Sequence, residues 1–172
     1  MNNNDIININ NINNINNIKI HKKYKLVNDY ANTNKKNGKY NEKYNFWELI
    51  RKYDIIIENG ISNKEKDWEK KSIDFIYSIP KENRIIFIKK YKKIHHVVNE
   101  LMFGDHTIDC CYPIGADDGH MDFARYLMRK GKQVIKLFIE NPKSKTIYDL
   151  ANKMNTEGSP IDNFDENGEI DE

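Results

Sequence analysis

Between residues 44 and 154 the sequence is a succession of short segments whose apolar residues recur three and four positions apart. This spacing places side chains on one face of an α-helix, whose period is about 3.6 residues, rather than on one face of a strand. The longest such segment runs from Glu82 to about Phe103. Glycine or proline separates the segments, as at Pro80 and Gly131. The pattern predicts a mainly α fold, a compact bundle of about five to six short helices.

The ends of the first segments carry residues that commonly cap helices. Asn45 precedes the first segment and Glu48 follows three positions later, as in a capping box. Asn59-Gly60 is predicted to end this first helix, because glycine is frequent just beyond helix C-termini. Ser62 or Asn63 is then predicted to cap the second helix.

The two ends of the chain differ in composition from the segment between them. The N-terminal part is rich in Asn, Ile and Lys, and its first isoleucines recur every three residues, which suits neither helix nor strand. After Lys153 there is no Lys or Arg, and this part of the chain contains several Asp and Glu residues together with Gly and Pro. We predict a low-complexity, disordered arm and linker over 1–43, a helical domain over 44–154, and an acidic, disordered tail over 155–172. Self-association of the Asn-rich tract is the alternative reading of the arm.

Charge and cysteine content narrow the class of protein. The formal net charge is +2, whereas a domain built to bind nucleic acid usually has a much larger basic excess, so nucleic acid is not the expected partner. The two cysteines, Cys110 and Cys111, are adjacent, which is typical of a reducing compartment and not of a disulfide framework. We find no signal peptide and no run of about 18 apolar residues. These features predict an intracellular, cytoplasmic protein without membrane attachment. The abundance of Asn, Ile, Lys and Tyr, which AT-rich codons specify, indicates an AT-rich genome such as that of a protist or a large DNA virus.

The stretch from Gly115 to Gln133 combines two adjacent carboxylates with a histidine, a third acid and an arginine. The candidate functional residues lie in it: Asp117, Asp118, His120 and Arg125. With His106 upstream, the paired acids are weak candidates for binding Mg²⁺, Mn²⁺ or Zn²⁺. A helix that starts near Asp118 places His120 on a different face, however, and a capping role explains one acid without any ligand. We therefore predict no cofactor and no bound metal.

Two other groups carry less specific signals. His95 and His96 are adjacent and point about 100° apart on a helix, so we expect one ring at the edge of the core and the other in solvent. The basic run Lys89–Lys93 includes Tyr91, and lysines with an aromatic residue can bind phosphate and stack on a base. Lysines on the outer face of a helix are also ordinary solvated residues, and the sequence favours that interpretation.

Three segments share a layout with a known family. They are FWELI at Phe46–Ile50, CCYPIGADDG at Cys110–Gly119 and DFARYLMRKGKQV at Asp122–Val134, and Asn141-Pro142 follows them. In this order they resemble the family named domain of unknown function 4240, a group of small helical domains. The resemblance covers about 44–154 and implies a helical fold in which the paired acids are a shared feature.

The chain departs from the family pattern next to the acids. The family usually has Ser, an aromatic residue and Arg at the positions of Ala116, His120 and Ala124, and here Arg125 comes one place later. The family has no assigned activity, so the resemblance implies none.

The sequence favours a non-enzymatic regulatory or protein-interaction module whose partner is a protein. It contains no glycine-rich phosphate loop, no G-x-S-x-G and no H-E-x-x-H. A metal-binding or hydrolytic enzyme that uses the region of Asp117 and Asp118 is the alternative. A weak nucleic-acid binder acting through the basic segments is the third hypothesis, and the oligomeric state is left open.

Overall fold

A computed structural model describes residues 45–103, 117–154 and 159–170, together with Lys25. Within these ranges it contains six α-helices and one 3₁₀ helix: α1 Phe46–Ser62, α2 Trp68–Tyr77, α3 Lys81–Phe103, α4 Asp117–Arg129, α5 Lys132–Glu140, α6 Lys145–Ala151 and the 3₁₀ helix Pro160–Asn163. The described ranges contain no strand beyond an isolated antiparallel bridge between Phe164 and Ile170. The predicted mainly α fold is therefore confirmed. The arm predicted over 1–43 lies outside the described residues, apart from Lys25.

Helix α1 begins where the sequence predicts but continues past its predicted end. The Asn45 side chain accepts a hydrogen bond from the backbone N–H of Trp47 at 3.0 Å and so caps the helix. The prediction that Asn59-Gly60 ends the helix is wrong, because α1 runs to Ser62. Gly60 instead faces Trp68 at the start of α2, where an added Cβ would overlap the Trp68 Cβ and lie 2.9 Å from its Cγ. Glycine here permits the close approach of two helices.

Helix α2 begins later than predicted. Because α1 extends to Ser62, neither Ser62 nor Asn63 caps α2, whose N-cap position is Asp67. The helix presents one apolar face to the core. Its buried and half-buried members are Trp68, Ser72, Phe75, Ile76 and, just past the helix, Ile79.

The core forms where the apolar faces of the helices meet. Helix α1 packs against α2 and α4, α3 packs against α2 and α4, and α5 connects α4 to α6. The Phe46 and Phe87 rings, from α1 and α3, lie 5.7 Å apart between centroids. Helix α5, whose sequence allowed a helix or a strand, is helical and buries Ile135, Phe138 and Ile139. Among the described helices none combines the length and the apolar character needed to cross a membrane.

The folded domain extends beyond its predicted boundary at residue 154. Residues 159–170, here called the C-terminal segment, pack against the helices instead of forming a tail. Ile161 and Phe164 are fully buried, and the Phe164 ring lies 5.3 Å from the ring of Tyr77. The acidic average composition conceals these apolar residues, and burying them provides the free energy that orders the segment.

Hydrogen bonds fix the start of the C-terminal segment to α1. The Tyr53 hydroxyl accepts a hydrogen bond from the backbone N–H of Ile161 at 3.0 Å and lies 3.1 Å from the Ser159 Oγ. Burial raises the pKa of the Tyr53 hydroxyl well above its usual range, so the phenol stays protonated. Since the Tyr53 hydroxyl is protonated, it can donate to Ser159 while it accepts from Ile161.

An ion pair and a turn fix the far end of the same segment. Glu169 Oε1 lies 2.9 Å from Lys81 Nζ and 3.1 Å from Arg84 Nη2. Before it, the Asp165 carboxylate accepts hydrogen bonds from the backbone N–H groups of Asn167 and Glu169, each at 2.8 Å. The C-terminal segment is therefore attached to α1 at one end and to the start of α3 at the other.

Candidate functional site

The four predicted site residues lie in the first three turns of α4. The side chains of Asp117 and Asp118 lie outside what the structure describes, as does the whole of His106. His120 is buried, with 6% of its surface exposed, and Arg125 is half-buried. In the described ranges no three His, Cys, Asp or Glu side chains lie close enough together to hold a metal ion.

Arg125 connects α4 to the C-terminal segment. Its Nη1 donates to Asp122 Oδ1 at 2.7 Å, and its Nε lies 2.7 Å from Asp162 Oδ2. We call Asp122, Arg125, Asp162 and the adjacent His95 the ionic cluster. Removing one partner of a partly buried ion pair leaves the other charge without compensation, so Arg125 and Asp162 depend on each other. The candidate residue Arg125 thus has a defined role in holding the fold together.

His95 forms the α3 side of the ionic cluster. Its Nε2–H donates to the backbone carbonyl of Met121 at 3.3 Å, and its ring stacks on Tyr91 with 6.2 Å between centroids. Burial lowers the pKa of His95, and burial also raises the pKa of the Asp162 carboxyl against the opposing effect of Arg125. His95 is half-buried and His96 is exposed, in agreement with the expected division of the pair.

We expect the stability of the protein to decrease between neutral and mildly acidic pH because of His95. Its pKa in the fold lies below the ordinary value of 6.5, so the unfolded chain binds the proton first as the pH falls. The contribution of His95 to the free energy of unfolding is fully present above pH 6.5. It decreases as the pH falls from 6.5 to the pKa of His95 in the fold, and for one proton the decrease is at most about 1.4 kcal/mol per pH unit. Urea unfolding measured at a series of pH values would report this slope.

The matched comparison is His95→Gln, which removes the titrating group. Asp162 has the opposite effect, because its raised pKa makes the fold bind a proton first as the pH falls towards 3.8. Subtracting the slope of the variant from that of the wild type gives the contribution of His95 together with its effect on the titration of Asp162. An identical slope in both proteins would show that His95 does not titrate differently in the fold.

A second set of charges joins α4 to α1. Lys130 Nζ lies 2.9 Å from Glu58 Oε1 and 3.3 Å from Asp54 Oδ2, and it is 4.8 Å from the centre of the Tyr126 ring. Arg129 is buried, and its Nε is 3.8 Å from Asp54 Oδ1. Burial raises the pKa of the Asp54 carboxyl, although both cations oppose the shift. The basic residues at the end of α4 therefore form ion pairs with α1 across the bundle.

A groove lies on the solvent side of α3. It has a volume of about 330 Å³. We call it the lysine groove, and its lining residues are Ile88, Lys89, Lys92, Lys93, His96 and Glu166. The helix places the residues of the run Lys89–Lys93 on two sides. Lys90 and Tyr91 face inward, with 7% and 0% of their surfaces exposed. The remaining lysines point towards solvent on one side of the helix.

The sequence interpretation missed Asp162 and Glu166 because both belong to the predicted tail. Ile161, Phe164 and Ile170 interrupt that acidic stretch, and their presence is the signal from which its packing could have been predicted. Asp162 completes the ionic cluster, and Glu166 completes the lysine groove.

Two polar sites therefore involve the C-terminal segment. The ionic cluster is half-buried and its partners are residues of the same chain. The lysine groove is open to solvent along α3. Comparisons with protein-family models, with curated proteins and with solved structures each found no match.

Proposed function

We propose that this chain is a non-enzymatic regulatory or protein-interaction domain and that its partner binds in the lysine groove. The observation that carries the proposal is the groove itself, an open concave surface with three lysines and a histidine on one side of one helix. Charged groups of this kind guide association and orient a partner. The intracellular location expected from Cys110 and Cys111 is part of the same proposal.

The ionic cluster supports a structural role for Arg125, one of the residues that were candidates for chemistry. Arg125 is engaged by Asp122 on its own helix and by Asp162 on the C-terminal segment. A guanidinium held by two carboxylates contributes to the position of the segment. This arrangement favours an interaction domain over an enzyme that would use Arg125 on a substrate.

We also propose that the chain is a divergent relative of the domain of unknown function family 4240. Support comes from the roles of Leu127 and Gly131, which belong to the segment Asp122–Val134 that carries part of the resemblance. Leu127 is fully buried in the core, and Gly131 has a φ of 95°, a left-handed conformation that ends α4. Selection for packing and for a helix end would preserve this element whatever the partner.

The test of the proposed function is a charge reversal of the groove, Lys89→Glu, Lys92→Glu and Lys93→Glu together. The matched control is Lys52→Glu, Lys66→Glu and Lys70→Glu, three exposed lysines outside the groove whose reversal changes the net charge equally. We expect affinity capture from a cell lysate to recover a protein with the wild type and the control but not with the groove variant. Direct binding of that purified protein should weaken about tenfold or more, since each exposed ion pair contributes about 0.2–1 kcal/mol.

Circular dichroism of all three proteins would establish that the reversals leave the fold intact. A partner that binds the groove variant and the control equally would place its binding site elsewhere. Recovery of no groove-dependent partner would count against the proposed function.

A further inference from the structure

We propose that the partner presents to the lysine groove a short peptide segment rich in Asp and Glu. This inference rests on the proposed function and names the chemistry of the segment that the groove receives. The occupant is a segment of another protein that is complementary to the groove in charge and in length.

The basic residues of the groove have the spacing of one helix face. Lys89, Lys92, Lys93 and His96 stand at positions i, i+3, i+4 and i+7 of α3 and extend along about 10 Å of the helix. Acidic side chains on one side of an extended peptide recur about every 7 Å, and those on a helix recur every turn of about 5.4 Å. Either form brings two or three carboxylates to these cations at once.

The positive surface is bounded along the helix. Glu82 and Glu100 lie on the same side of α3, beyond the two ends of the basic stretch, and Glu166 lies at its edge. The chain as a whole has a net charge of only +2, so the attraction of an anion to this face of α3 depends on the lysines that are grouped there. A long polyanion would extend past the lysines and meet these carboxylates, whereas a short acidic segment fits between them.

Apolar surface accompanies the charges. Ile86 lies one turn before Lys89 on the same side of α3 and is 38% exposed, whereas Ile88 lies fully buried beneath the groove. An acidic segment that also contains an apolar residue would bury Ile86 and the methylene chains of the lysines. The groove therefore favours a segment in which acids flank one apolar side chain.

The inward orientation of Tyr91 distinguishes a peptide from a nucleic acid. Single-stranded nucleic acids are usually bound by lysines together with aromatic side chains on which bases stack. Tyr91 is the aromatic residue of the basic run, and it is fully buried. The described lining of the groove therefore offers an imidazole, that of His96, but no Tyr, Phe or Trp ring for stacking.

The test is the binding of labelled probes to the full chain, followed by fluorescence anisotropy. The probe is a peptide of about eight residues in which Glu residues flank one Leu, long enough for the basic stretch in extended form. Its matched control replaces each Glu with Gln, and an oligothymidylate of equal length is the nucleic-acid probe. We expect the acidic peptide alone to bind, with an affinity that falls as salt is raised from low to physiological concentration. The reversal Lys89→Glu, Lys92→Glu and Lys93→Glu should weaken binding about tenfold or more, and the reversal at Lys52, Lys66 and Lys70 should have no such effect.

The outcomes separate this inference from the proposed function. Equal binding of the Gln peptide, tighter binding of the oligothymidylate, or binding of the acidic peptide that survives the groove reversal would each overturn the inference. If a protein is captured through the groove but the acidic peptide does not bind, the inference fails and the proposed function stands. If the acidic peptide binds through the groove but no protein partner is recovered, the charge recognition is supported and the proposed function is not.

Discussion

Gly60→Ala is expected to lower the free energy of unfolding by about 3 kcal/mol, although alanine favours helices more than glycine does. The new Cβ would overlap the Cβ of Trp68, lie 2.9 Å from the Cγ and lie 3.4 Å from the Cα. Because two of these atoms are at the base of the side chain or in the backbone, a change of the indole rotamer cannot relieve the overlap, and α1 and α2 must separate. Urea unfolding at constant pH would measure the loss.

The control for this prediction is Asn59→Ala, an exposed position next to Gly60 on the same helix. It carries a smaller gain in helix propensity without the contact, and its stability should lie within about 0.5 kcal/mol of the wild type. If Gly60→Ala behaved like Asn59→Ala, the two helices would not be in close contact at this point.

Phe164→Ala is expected to destabilise the protein by about 4 kcal/mol, which is typical of removing a fully buried aromatic side chain. Its ring is fully buried and lies against Tyr77. The substitution leaves a cavity between the C-terminal segment and α2, so the segment loses its largest apolar anchor. The expected result is a lower melting temperature and a lower urea midpoint.

Asn163→Ala is the control, since Asn163 is exposed and immediately precedes Phe164. We expect a change within about 0.5 kcal/mol. A small effect of Phe164→Ala, comparable to that of Asn163→Ala, would mean that residues 159–170 contribute little to the stability of the domain.

The two positions show where sequence reasoning succeeds and where it fails. The helices were predictable because their apolar residues repeat with the period of the helix, and that repeat is a local property of the chain. The end of α1 was not predictable, because Asn59-Gly60 is a common signal for a helix end. The residues near Gly60 in the sequence do not show that Trp68 lies against it. The packing of the C-terminal segment was not predicted, because the segment is acidic on average and contains only three large apolar residues, Ile161, Phe164 and Ile170.

For the candidate site, too, the sequence predicts some features and not others. Arg125 was identifiable as a candidate residue close to the paired acids, but its partner Asp162 comes from a distant part of the chain. Similarly, the sequence shows the basic run on α3 directly. That Lys89, Lys92 and Lys93 line the groove while Lys90 is buried depends on which side of the helix packs against the core.

The sequence alone determined the class of the fold, the approximate extent of most helices and the cap at Asn45, because helix period and capping depend on residues within a few positions of one another. Only the tertiary structure decided that Gly60 permits a helix contact, that Arg125 and Asp162 form an ion pair, and that Glu166 lies beside the lysines. Each of these depends on the distance between side chains that are far apart in the chain, and that distance is set by how the helices pack.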